Sequence, residues 1–353
     1  MGRFIGGRIG SIITFNSSVA APAVYDMNDQ YRASRKGGWF SAGVAASGGT
    51  TNEPGNGFKY HTFTSSGSFV VSAGGEVELL LVAGGGGSAP SYNSGAGGGG
   101  VVYHEELTLT TKTHPITIGS GGANPNATGG DSTFNGHPEG TITAKGGGGG
   151  TNFAGPAGKD GGSGGGAEGT ETNPAGEGIQ PAQNPAYSPD PNFNQYGNDG
   201  GAGTTGGAYS AAGGGGAGGS APPAGPGPGS GGVGGPGVAI SGFEYPLVGL
   251  APLTPQANSP SNNHYGAGGG GWGYSVQNSG NRPTGGGGRG GNSVPSPQSD
   301  GLDGLGGGAG NSYYNPGTNV GGDGILLIRY PEPTEPAGAS PGTTEFEVSK
   351  YTP

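Results

Sequence analysis

In a chain of 353 residues, glycine supplies 92 and proline 30, while only 29% of residues are hydrophobic and 10% charged. So few charges exclude an ordinary solvating disordered tail, and so few apolar side chains exclude an ordinary globular core. A formal net charge of −10 with only 13 Lys and Arg argues against a nucleic-acid partner, and the absence of cysteine removes disulfides, thiolate metal sites and redox motifs.

Residues 1–45 are relatively basic and poor in glycine, and 25–36 reads as a short helix with Asp26 as N-cap and Gly37 as stop. This segment is expected to serve attachment or oligomerisation, with Tyr25, Tyr31, Arg32 and Trp39 as its candidate contacts. The apolar stretch 9–15 is short and broken by Gly10, Ser11 and Thr14, so it makes no signal-peptide core. No window approaches the roughly 20 apolar residues of a membrane span, and no membrane insertion is expected. Residues 46–57 read as a linker.

Strands follow. Residues 58–63 and 68–71, parted by Ser65-Ser66-Gly67, read as a hairpin. The run 77–83 (VELLLVA) is the most apolar in the chain, and 101–110 (VVYHEELTLT) alternates in its second half as a half-buried strand does. Shorter strands are expected at 115–118, 132–134 and 141–144, and 325–330 (ILLIRY) closes the region 58–331. No amphipathic helix shows within it. Residues 332–353, rich in Pro, Glu and Thr, are expected to form an extended tail.

Between the strands lie glycine runs at 84–87, 97–100, 146–150, 213–216, 268–271 and 285–288, several delivered directly from strand ends. Ordering each residue costs about 1–2 kcal/mol, and glycine loses the most freedom. Two readings fit: flexible loops on a β-scaffold, or ordered polyglycine II helices that pack side by side through main-chain hydrogen bonds. The recurrent strand-to-glycine junctions favour the second. The fold class is therefore mainly β with packed polyglycine II helices and negligible α-helix, in an elongated or sandwich-like glycine-rich domain.

The ordered series YHTFTSSGSFVV (60–71), VELLLVA with its glycine run, LTLT (107–110), ITIG (116–119), GGDSTF (129–134), ITAK (142–145) and GILLIRY (324–330) resembles the glycine-rich domain of phage tail fibres and other virion appendages. Residues 170–265 depart from that pattern through proline-rich insertions. The segment 25–39 looks like a short N-terminal segment of some phage structural proteins. The resemblance implies a non-enzymatic virion structural protein, a tail fibre or adhesin component, made in the host cytoplasm and carried on the particle. It would bind other virion proteins through its N-terminal segment, form a homo-oligomer, and contact a glycan or protein of the host surface. The alternatives are a fibre, sheath or capsid-decoration subunit without receptor binding, and a cellular glycine-rich extracellular matrix protein.

Catalytic patterns carry little. Residues 161–165 satisfy G-x-S-x-G, but glycine on both flanks denies the strand–elbow–helix setting a hydrolase needs. The five histidines (61, 104, 114, 137, 264) show no metal-ligand spacing, His61 reads as structural, and no cofactor or metal is expected. Asp300, Asp303 and Asp323 read as solvated turn residues. Aromatics among glycine and proline are the candidate surface contacts: Phe243, Tyr245, Trp272, Tyr274, Tyr313 and Tyr314. Such rings either stack on a ligand or plug the edges of a glycine core.

Overall fold

The computed structural model describes residues 43–89, 93–123, 125–151, 157–168, 174–187, 189–203, 210–225, 229, 231–250, 263–273, 284–291, 300–311 and 319–332. The helix expected over 25–36, the attachment residues Tyr25, Tyr31, Arg32 and Trp39, and all of the tail but Glu332 lie outside them.

The apolar patterns sort the strands into two antiparallel sheets. One runs in the order β1 (Ala45–Ser47), β4 (Gly67–Ala73), β7 (Lys112–Thr117), β8 (Ser132–His137) and β9 (Gly140–Ala144). The other runs β10 (Phe193–Tyr196), β6 (Val101–Leu109), β5 (Gly75–Val82), β13 (Ile325–Pro331), β3 (Phe58–Phe63) and β2 (Thr50–Asn52). A small pair joins β11 (Val238–Ala239) to β12 (His264–Tyr265). Among the described residues, the helical elements are two 3₁₀ turns at Gln180–Ala182 and Pro185–Tyr187, so the fold is mainly β with negligible α-helix.

The two sheets differ in how many faces they bury. In β4, Phe69 and Val71 point inward while Val70 between them is exposed, as period-2 alternation demands. In β5, Leu79 and Leu81 enter the core between the sheets with Phe69, Phe134 and Ile142. Leu80 and Val82 enter a second core on the opposite face, with Phe243, Tyr245, Tyr265 and Leu305. A strand buried on both faces reads as an unbroken apolar run, which is why VELLLVA and ILLIRY lack alternation. Burying each such Leu contributes about 1.5–3 kcal/mol.

Two expectations need correction. The segments at 58–63 and 68–71 do not form a hairpin: β3 pairs with β13 and β2, while β4 pairs with β1 and β7. The last four residues of β3 are buried in succession, which suits the two-faced sheet, whereas β4 alternates and suits the one-faced sheet. The stretch 46–57 is no free linker, since most of β1 and all of β2 lie in it and edge the two sheets. Asn52 Nδ2 also donates to Leu247 O at 2.8 Å.

From strands and turns of the sandwich, the glycine runs extend as rows that bond to one another. Row 94–100 shows the pattern. Gly97 and Gly100 donate to the row at 145–148, through Gly148 O and Lys145 O, both at 2.8 Å. Gly95 and Gly98 donate to Ala212 O and Gly215 O, and Ala96 and Gly99 to Ala309 O and Gly306 O, all at 2.8–2.9 Å. The same row accepts N–H groups from Ala83 and Gly86, from Ser163 and Gly166, and from Gly269. Each partner row recurs every third residue, the period of a chain with three residues per turn. Every N–H of this row finds its acceptor in a different chain segment. A Cβ built on Gly85 would sit 2.0 Å from Gly307 O, one on Gly97 2.1 Å from Ser163 O, and one on Gly98 2.2 Å from Gly266 O. Glycine is required there by space.

Candidate functional site

The rows have two ends. At one, residues 83, 100, 146, 306 and 324 meet the β-sandwich. At the other, the described rows finish against each other. Ser94 N donates to Thr151 O (3.2 Å), Trp272 N to Asn93 O (3.2 Å) and Gly273 N to Gly291 O (3.2 Å). Gly291 N donates to Asn311 O, and Asn311 Nδ2 to Ala89 O (2.6 Å). Ser94 Oγ donates to Gly166 O (2.7 Å), and Glu168 bridges Ala211. Ala89, Thr151, Glu168, Gly273, Gly291 and Asn311, at or beside this edge, come from separate parts of the sequence. One hydrogen-bonded edge therefore gathers distant parts of the sequence.

The candidate aromatics divide. Phe243, Tyr245 and Trp272 are 0%, 1% and 2% exposed, so they are not surface contacts. Phe243 meets Tyr60 and Tyr103 edge-on at 6.4 and 6.1 Å and lies 5.1 Å from the Arg329 guanidinium. Tyr245 stacks edge-on with Tyr265 (5.5 Å), its hydroxyl donates to His264 O, and Tyr265 Oη donates to Phe243 O at 2.6 Å. These rings pin the segment 238–250 over the outer face of the six-stranded sheet. Flanking Pro and Gly suggest exposure, but here the neighbours are main chain dense enough to bury a ring. Tyr274, Tyr313 and Tyr314 lie outside the described residues, each one to three positions beyond a row end at the far edge.

Charged groups fasten the same structure. Arg329 on β13 holds Glu78 Oε2 (2.7 Å) and donates to Gly242 O (3.0 Å), while Tyr103 Oη donates to Glu78 Oε2 (2.9 Å). Asp300, Asp303 and Asp323 are not free turn carboxylates. Asp300 accepts from Val320 N (3.0 Å), Asp303 from Asp323 N (3.1 Å) and Asp323 from Gly121 N (2.7 Å). Asp131, Asp160 and Asp199 accept likewise from Gly146, Glu177 and Gly178 N at 2.8–2.9 Å. Some N–H groups of these rows have no neighbouring row in front of them, and the carboxylates supply the acceptors. The sequence signal was an Asp next to or near a glycine tract, too common here to single out.

Three polar side chains sit apart from water. His61 donates from Nδ1 to Gly48 O (2.8 Å) and accepts the Tyr330 hydroxyl at Nε2 (2.9 Å), which makes it structural. Burial pushes its pKa down, chiefly by desolvation. Glu168 is buried, burial pushes its carboxyl up to about 7, and its Oε1 has no hydrogen-bond partner among the described residues. Ser163, centre of the G-x-S-x-G string, is buried in a row and donates its N–H to Gly98 O (3.0 Å), without the setting of a nucleophile elbow. No helix among the described residues is long and apolar enough to cross a membrane.

Residues 62–331 match a protein family described as a glycine-rich domain. No curated protein matches the chain.

Proposed function

The chain belongs to the glycine-rich domain family, and from that premise we propose that it is a non-enzymatic structural protein of a bacteriophage particle, a tail fibre or adhesin component that contributes to host attachment. The observation that carries this reading is the far edge of the glycine rows. There Asn93, Ser94, Thr151, Trp272, Gly291 and Asn311, from distant parts of the sequence, are joined at one backbone-bonded edge. A rigid scaffold that gathers distant parts of the chain at one end suits recognition, because binding residues concentrate where a fixed frame holds them. The rows themselves, read as polyglycine II helices, carry few side chains, so they hold position without offering chemistry of their own. Tyr274, Tyr313 and Tyr314 stand beside that edge in the sequence and are the proposed contacts to a host glycan or protein. The segment 1–45 is the proposed joint to other virion proteins and to further copies of the chain.

The test is saturable binding of fluorescently labelled, folded protein to a panel of bacterial strains. Binding to some strains, competed by unlabelled protein and weakened at least about tenfold by Tyr313→Ala with Tyr314→Ala, supports the adhesin. Folded protein that binds no strain yet self-associates in light scattering would point to a purely structural particle subunit.

A further inference from the structure

We propose that His104, His137 and Asp190 form a binding site for one divalent transition ion of the zinc class. Their ligand atoms all lie within 4.8 Å of one another, although the residues come from β6, β8 and the turn before β10. They thus link the two sheets of the sandwich and the proline-rich insertion. No spacing in the sequence brings them together, and the expectation of no metal site rested on spacing alone.

Both histidines are aimed by irregularities in their strands. Between Leu79↔His104 and Val77↔Leu107, β6 holds one residue more than β5. Between Phe134↔Ile142 and His137↔Gly140, β8 holds one more than β9. Such bulges re-aim side chains and are frequent beside functional sites. The bulge in β6 also explains why VVYHEELTLT alternates only after Glu106: Val102 and His104 face inward before it, and Leu107 and Leu109 after it. Tyr187 and Phe193 wall the cluster, with the Tyr187 ring 4.2 Å from His137 and the Phe193 ring 5.6 Å from His104.

The polar partners are incomplete without an ion. His104 Nε2 faces Asp190 Oδ2 at 3.5 Å, beyond a good hydrogen bond. Asp190 Oδ1 is taken by Asn192 N–H (2.8 Å), leaving Oδ2 for the histidines. Ligation takes both imidazoles in their neutral form and the carboxylate ionised. Two imidazoles and one carboxylate suit zinc, cobalt or nickel, with one position open. Tetrahedral binding brings ligand atoms to about 3.4 Å apart, and His137 at a strand end and Asp190 in a turn supply that closure. Ligation through Nε2 leaves the ring proton on Nδ1. It therefore gives up the N–H contacts that Nδ1 takes from Glu106 (3.4 Å) and Glu139 (3.1 Å), which lowers the affinity expected of the site.

The experiment titrates Co²⁺ into the metal-stripped full chain, follows its visible absorption, and displaces it with Zn²⁺. One equivalent is expected, with a rise in melting temperature on Zn²⁺ addition, since an ion that binds only the folded state stabilises it. His137→Ala and Asp190→Asn should weaken binding at least about tenfold, and His264→Ala should leave it unchanged. If His137→Ala does not fold, Asp190→Asn, which keeps the side-chain volume, decides alone. Folded wild-type protein that binds neither ion at about 100 µM, or binding that survives the variants, overturns the site.

Discussion

In the sandwich, Leu79, Leu80 and Leu81 alternate between two cores and their side chains carry the stability. In the rows, Gly97, Gly98 and Gly99 contribute no side chain and direct three N–H groups to three different neighbours. One region is held by apolar burial and tolerates imperfect fit by small shifts. The other is held by hydrogen bonds between main chains at contact distance, where there is nothing to shift. Rigidity is therefore available without an apolar interior, provided the side chains are removed.

The largest effect expected from breaking this contrast is Gly98→Val. Its Cβ would meet Gly266 O at 2.2 Å and drive central rows apart. The loss should exceed the roughly 5–15 kcal/mol that stabilises a domain, seen as insoluble or protease-sensitive protein. Gly219→Ala is the matched control: its Cβ finds Pro236 Cγ at 3.4 Å, and melting should be nearly unchanged. Next comes Leu80→Ala in the sandwich, which leaves a cavity and should cost about 2–5 kcal/mol in guanidinium unfolding while the protein still folds.

A third, smaller effect separates the regions by pH. Glu168, in a row, has a folded pKa of about 7, above the usual value near 4.5. Its folded state holds the proton longer, so that stability is whole below about 4.5 and is lost as pH rises through about 7. Glu168→Gln should be about 1–3 kcal/mol more stable than wild type at pH 8 and equal to it at pH 4. His61, in the sandwich, has the opposite sign. Its pKa is lowered, so its stability is whole above 6.5 and is lost as pH falls below that value. Unfolding at pH 5, 6.5 and 8 distinguishes the two. The smallest effect is Asp323→Ala, which removes the acceptor of Gly121 N–H and should cost about 1 kcal/mol, with Asp323→Asn restoring most of it.

Legibility in the sequence followed the same division. Alternation located the later half of β6, and unbroken apolar runs located β5 and β13, because side-chain pattern is what those strands use. Glycine runs announced rows that need space. Partner choice was hidden, since Gly97 and Gly98 are the same letter and only their turn angle sends them to different neighbours. The β3–β4 pairing was misread because a serine-rich turn joins sheets as readily as it joins a hairpin. The burial of Phe243 and Trp272 was equally hidden, as flanking glycine says nothing of how closely other main chain approaches.

The triplet recurrence of partners along row 94–100 also sets a grammar for how such a protein can change. Adding one residue inside a row would rotate every later donor by about a third of a turn and address it to the wrong neighbour. Adding three would restore the addresses and lengthen the row by one repeat. Between rows, at the far edge, no such frame applies. The rows themselves admit change only in threes.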